Sequence, residues 1–103
     1  MGALVLAPGE SVTEHLHPYS EEFLYVTSGT IHLRAGEDCV RLDAGDALMV
    51  PIGVPHRAEN QGSSTAQAVF HLSPLAPSPE LGHVDTEELA DPQAPDPFAG
   101  GAR

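Results

Sequence analysis

Two interlocking blocks of residues restrict what this chain can fold into. The first runs Gly9, five residues, His15-Leu16-His17, four residues, Glu22, six residues, Gly29. The second runs Gly45, five residues, Pro51, one residue, Gly53, two residues, His56, three residues, Asn60. Three imidazoles and a carboxylate at these offsets can converge on one divalent cation. The glycines and the proline fall where short strands have to reverse. Donors so far apart meet only in a fold that brings distant strands together, so the spacing constrains topology and chemistry at once.

Between these punctuation marks the chain reads as strands. Residues 3–7 are an apolar run closed by Pro8-Gly9, and 11–17 alternate loosely. Residues 22–27 (EFLYVT) are rich in aromatic and β-branched side chains. Residues 30–34 and 39–42 flank an Ala-Gly-Glu-Asp hairpin, 47–50 end at Pro51, and 56–59 and 65–72 follow. Short strands at close spacing, with Gly or Pro between them, predict an all-β sandwich or barrel.

A chain of 103 residues makes one modest core. Its formal net charge is −11, and its four basic residues (all Arg, at 34, 41, 57 and 103) are too scattered for a nucleic-acid footprint or an anionic membrane surface. A bound cation would relieve some of that charge. Cys39 is the one cysteine, so there is no disulfide framework. With no signal peptide and no apolar run of spanning length, the expected compartment is the cytoplasm. Phosphate loops and serine-nucleophile elbows are absent.

Strand side chains alternate faces, so His15 and His17 point the same way and form a pincer. Glu22 opens the next strand, with Leu24 and Val26 on its side. Glu21 competes with it, but parity turns only one of the two inward, and the gap to Gly29 favours Glu22. His56 follows a Pro-x-Gly turn. His71 lies in the last strand; with Gln67, Val69 and His71 inward it would add a fourth imidazole, and a strand histidine bonded to a neighbour is the equal alternative. His32 is expected on a solvated face and His83 to be incidental. Leu24, Val26, Leu33, Leu48, Val50 and Val69 are candidates to line an apolar cavity.

From Pro74 the composition changes. Six prolines and six acidic residues occupy 74–103, opposed by Arg103 alone. This predicts a barrel over residues 1–73 and an extended acidic, Pro-rich arm with a mobile tail over 74–103, with one short helical turn over Val84–Ala90. Only eight residues precede Gly9, enough for one strand, so a closed barrel would expose an edge there. Either a second subunit supplies strands or the chain lacks N-terminal strands that its relatives have. The short N-terminus, the Ala68, Phe70 and Leu72 face and the arm predict a homodimer.

The two blocks resemble the two motifs of the cupin superfamily, over residues 9–60, and no spaced position departs from them. The resemblance implies a small double-stranded β-helix (jelly-roll) barrel, with His15, His17, Glu22 and His56 as ligands of a divalent metal, Zn first, with Fe, Ni or Mn as alternatives. Two further stretches, HPYSEEFLYV (17–26) and VFHLSPLAPSPELGHVDT (69–86), resemble the cupin-type cyclases of bacterial aromatic polyketide and spore-pigment pathways. That finer resemblance makes His71 a ligand candidate, completing a four-histidine site with Glu22 demoted.

It also implies a small-molecule poly-β-keto substrate and a metal-dependent, regioselective aldol-type ring closure. Glu21, Glu22 (where it is not a ligand) and His71 are the side-chain candidates for the base, beside a metal-bound hydroxide. A metal-dependent dioxygenase acting on a small aromatic or diketone would use the same ligands, and a non-catalytic small-ligand-binding cupin is the third reading.

Overall fold

The computed structural model describes residues 1–87. Among these residues nine strands form two antiparallel sheets. They are β1 (Gly2–Leu6), β2 (Ser11–Leu16), β3 (Glu21–Ser28), β4 (Thr30–Ala35), β5 (Asp38–Asp43), β6 (Ala47–Val50), β7 (His56–Glu59), β8 (Ala66–Ser73) and β9 (Val84–Asp85). The first sheet has the order β1-β8-β3-β6 and the second β5-β4-β7-β2-β9. Each sheet is assembled from distant strands, which is the double-stranded β-helix arrangement.

Strand alternation builds the core. Leu6, Leu24, Val26, Ile31, Leu33, Leu42 and Val50 are buried between the sheets with Ala58, Ala66 and Ala68. Their outward neighbours on β3, Glu21, Phe23, Tyr25 and Thr27, are exposed. The parity of β8 is opposite to the arrangement that would bring His71 inward. Ala66 and Ala68 are buried, Phe70 and Leu72 half-buried, and Gln67 and His71 exposed. The Gly29 turn lies against Ala66.

That turn shows why two glycines of similar backbone are not equivalent. Gly29 and Gly45 both have positive φ, +74° and +94°. A methyl group on Gly29 would stand 2.8 Å from the Ala66 Cα and the Thr65 carbonyl oxygen, whereas nothing lies within 4 Å of one on Gly45.

The second sheet has one irregularity of consequence. β2 pairs with β7 as Ser11↔Glu59, Val12↔Ala58 and then His15↔His56, so three steps on β2 match two on β7. This bulge inverts the parity of β2 after Val12. Without it Glu14 would face inward. With it His15 and His17 do, both buried, while Glu14 turns outward and meets Arg34 at 3.1 Å.

After β8 the chain passes Pro74, whose carbonyl accepts the Ser20 hydroxyl, and makes one 3-10 turn at Pro79–Gly82. The helical turn expected over Val84–Ala90 does not start as such. Val84 and Asp85 pair with Leu16 and His15 as β9, because the open edge of β2 supplies hydrogen bonds that a two-residue segment cannot find alone. Residues 88–90 and the expected tail lie outside the described residues. The returning segment is held by Arg57, which is fully buried, donates to both Glu87 oxygens at 2.7 and 2.8 Å, and donates to the Ser11 hydroxyl at 3.0 Å. No helix among the described residues is long and apolar enough to cross a membrane.

Substituting Gly45→Ala imposes only the left-handed backbone, about 1–2 kcal/mol. Gly29→Ala adds a backbone clash and is expected to cost roughly 1–3 kcal/mol more. Thermal unfolding of the two variants checks this, and equal melting temperatures would contradict it.

Candidate metal centre

The three motif histidines are each aimed by a carbonyl. Carbonyl oxygens only accept, so the imidazole Nδ1 donates in each case: His15 to Thr13 (2.9 Å), His17 to Gly82 (2.8 Å) and His56 to Val54 (3.0 Å). Every Nε2 is thereby left for the interior. Such carbonyl partners are how ligating imidazoles are held in one tautomer. Two of the three carbonyls lie two residues before the histidine they orient. The third comes from the arm, which nothing in the motif spacing indicates.

Glu22 closes the cluster. One of its oxygens, Oε1, lies 3.0 Å from His17 Nε2 and 3.0 Å from His56 Nε2. His15 completes it, with its ring centroid 4.9 Å from that of His17 and 4.3 Å from that of His56. One donor atom from each of His15, His17, Glu22 and His56 falls within 4.8 Å of all the others. Three imidazole nitrogens and a carboxylate, all inward and already oriented, fit a divalent metal site.

The electrostatics follow from this crowding. Burial drives the His15 pKa down from 6.5 to about 4, and the nearby imidazoles add to the shift against its Thr13 hydrogen bond. His17 is pushed up, first by its hydrogen bond to Glu22 and against its own burial. Burial would raise Glu22, but the hydrogen bonds from His17 and His56 outweigh it and hold the carboxyl at about 2. The carboxylate is thus held ionised and favours positive charge beside it, which a cation can supply.

The other candidates are not brought here. Glu21 and His71 are exposed on the outer face of the first sheet, where β3 and β8 pair as Glu21↔Ser73 and Phe23↔His71. The parity of β8 is the physical reason: Phe70 and Leu72, not His71, line the interior. Among the described residues the fourth donor beside the three histidines is Glu22. His83, expected to be incidental, is instead at the site. Its ring stacks on His15 at 4.4 Å with 8° between planes, and its Nε2 is 2.8 Å from Asp85.

The cluster sits in a cavity of about 650 Å³. Leu4, Val12, Leu24, Leu33, Ala58, Phe70 and Leu72 form its barrel wall, and Leu75 to Pro79 with Gly82 and His83 its arm side. Of the aliphatics expected to line a cavity, Leu24 and Leu33 do. Val26 and Val50 are spent in the core, Leu48 packs against it, and Val69 points to the outer face. Among the described residues no Arg or Lys lines it.

A family model described as a cupin domain matches residues 2–72. The chain belongs to the cupin family. It is 52% identical over 101 residues to tetracenomycin polyketide synthase protein TcmJ of Streptomyces glaucescens, covering 98% of this chain and 68% of that protein. It is 52% identical over 90 residues to polyketide synthase CurC of Streptomyces cyaneus, covering 87% of this chain and 58% of that protein. Among solved structures, a protein with a double-stranded β-helix domain from Klebsiella pneumoniae superposes with a TM-score of 0.72 at 25% identity, covering 84% of this chain and 72% of that one. This cupin thus spans little over half of CurC and about two thirds of TcmJ.

The pKa shifts carry signs that can be tested on the metal-free chain. His15 takes up its proton at pH 6.5 when unfolded and only near 4 when folded, so stability present above 6.5 is lost as pH falls toward 4. Glu22 adds stability above 4.5 that is lost as pH falls toward 2. His17 acts oppositely, stabilising below 6.5 and losing that contribution as pH rises through its raised value. His15→Asn is expected to flatten the fall in urea midpoint between pH 6.5 and 4. A slope unchanged by the substitution would contradict the assignment.

Proposed function

We propose that this cupin is a metal-dependent cyclase closing a ring in a poly-β-keto substrate by an aldol-type step. The carrying observation is the apolar cavity, lined by no Arg or Lys among the described residues, with three imidazoles and a carboxylate gathered on its wall. A neutral, carbonyl-bearing chain suits that lining. The polyketide synthase names of TcmJ and CurC support the same substrate class.

On this reading His15, His17, Glu22 and His56 hold a divalent cation, Zn(II) first, with Fe, Ni or Mn as alternatives. Bound there, the ion supplies Lewis-acid polarisation of a carbonyl oxygen. The barrel, residues 1–73, is the reaction vessel, and the arm from Pro74 forms its mouth. The walls hold the chain folded so that the carbon between two carbonyls meets a third carbonyl, which is the proximity contribution. Of the three side-chain base candidates read from the sequence, only Glu22 lines the cavity, and we assign it as the fourth donor to the ion.

We also propose a homodimer acting in the cytoplasm. Phe70 and Leu72 turn inward, so the apolar face available to a second copy is the other side of that sheet. Val5, Phe23, Tyr25 and Met49 are 38–58% exposed there. A monomeric mass by light scattering would contradict the dimer.

Metal analysis of the purified protein tests the donor set. His15→Ala and His17→Ala are each expected to lose stoichiometric metal, and Glu22→Gln to bind it more weakly, while His71→Ala and Glu21→Ala retain it. Metal loss in His71→Ala would restore a four-histidine site.

Turnover of a poly-β-keto substrate by the Zn- or Fe-loaded protein, followed with an oxygen electrode, separates the reactions. The expected result is a cyclised product without oxygen uptake. Uptake coupled to turnover would make the protein an oxygenase instead, and recovery of bound but unchanged substrate would make it a binding module.

A further inference from the structure

The arm reaches the metal centre at two points, and neither belongs to the motif. The Gly82 carbonyl accepts the Nδ1 proton of His17 at 2.8 Å, which leaves His17 Nε2 pointing inward. The next residue lays its imidazole flat on His15, with centroids 4.4 Å apart and planes 8° from parallel. Its own ring is oriented by Asp85 at 2.8 Å. Just beyond, the Thr86 and Glu87 amides donate to the Glu14 carbonyl at 3.0 and 3.3 Å, and Glu87 receives the buried Arg57. Both members of the His-x-His pincer are therefore set by groups some 65 residues later in the chain, held in place by a clamp on the outer face of the second sheet.

We infer that Gly82 and His83 are positioning residues of the metal centre, so that cation binding and seating of the arm reinforce each other. The inference rests on the cluster being a cation site. Without the Gly82 carbonyl, His17 loses the acceptor that selects its tautomer. Without the His83 ring, His15 loses the flat neighbour that restricts its rotation. An imidazole free to rotate or to change tautomer must be ordered when a cation binds, and the affinity falls accordingly. By reciprocity, a cation that favours the ordered pincer must favour the seated arm by the same factor.

The test is titration of Co(II) and Zn(II) into the metal-free full-length chain, with the Co(II) visible spectrum and amide hydrogen exchange as readouts. His83 is half exposed, so replacing it leaves the core intact. His83→Ala is expected to weaken both ions about 10-fold or more, the range for loss of a group that orients a ligand. It should also alter the Co(II) spectrum. His83→Phe, which keeps a flat ring but has no nitrogen, is expected to recover most of the affinity. In the unaltered chain Zn(II) is expected to slow exchange at Thr86 and Glu87.

If the unaltered chain binds neither ion, the metal reading fails and takes this inference with it. If the ions bind but His83→Ala matches the unaltered chain within about twofold and the Thr86 and Glu87 amides gain no protection, the coupling alone is wrong. Failure of His83→Phe to recover what His83→Ala loses would mean that a nitrogen of His83 acts on the ion directly, which also overturns the positioning role.

Discussion

The site depends on one backbone irregularity, the extra residue in β2 between Val12 and His15. Strand parity is strict, and a single step moves every later side chain to the other face. Here that step exchanges Glu14 for His15 on the inner face, so that His15 comes opposite His56 across the β2–β7 pair. The same step sends Glu14 outward, where its carboxylate takes Arg34 and the Thr86 hydroxyl and its carbonyl takes the arm's amides. One bulge therefore makes both the pincer and the seat of the arm.

Placing these donors in the interior carries an electrostatic cost that the cluster meets internally. A buried carboxylate is unfavourable unless it is hydrogen-bonded and charge-compensated. Glu22 has two imidazole nitrogens on one oxygen, and this overcomes its burial. His15, which has no carboxylate of its own, stays neutral instead and offers a lone pair. The cluster thus contains an ionised carboxylate held between two imidazoles and a neutral imidazole beside it. That asymmetry is what four donors show when they are held at ligating distance without competing for the same proton.

Much of this was legible in the chain. His-x-His on a strand, a Pro-x-Gly turn before His56, and glycines at the reversals carry the two-sheet barrel and three of the four donors, because turn chemistry and alternation are local properties. Not all that failed was decided by tertiary packing. The segment AQAVFHLS carries Ala66, Ala68, Phe70 and Leu72 on one face and Gln67, Val69, His71 and Ser73 on the other, so hydrophobic alternation alone favours the observed parity over one that brings His71 inward. Ala66 and Ala68 are buried with Phe70 and Leu72 on their side, and this puts His71 outside. Val84 and Asp85 form a strand because β2 offers an open edge, against any helical tendency of their own. His83 gave no signal at all, since it is a lone histidine in a Pro-rich segment. Its significance comes from the two strand residues that follow it.

Arg57 shows that the arm is part of the fold and not an appendage to it. A guanidinium with only 1% of its side chain exposed has to be matched, because stranding it in the interior is far more costly than never having buried it. Its bidentate partner is Glu87, from beyond the barrel, with Ser11 completing the contact from the start of β2. Unseating the arm would take from this cation the carboxylate that it meets at 2.7 and 2.8 Å, while Glu59 stands at 3.8 Å. The clamp lies on the opposite face of the sheet from the imidazoles, yet it acts on them. It fixes the end of β9, β9 pairs with the strand that carries His15, and the turn before β9 carries the carbonyl that orients His17. The contacts that seat the arm thus also carry the Gly82 carbonyl to His17 and the His83 ring to His15, while His56 is oriented by its own segment.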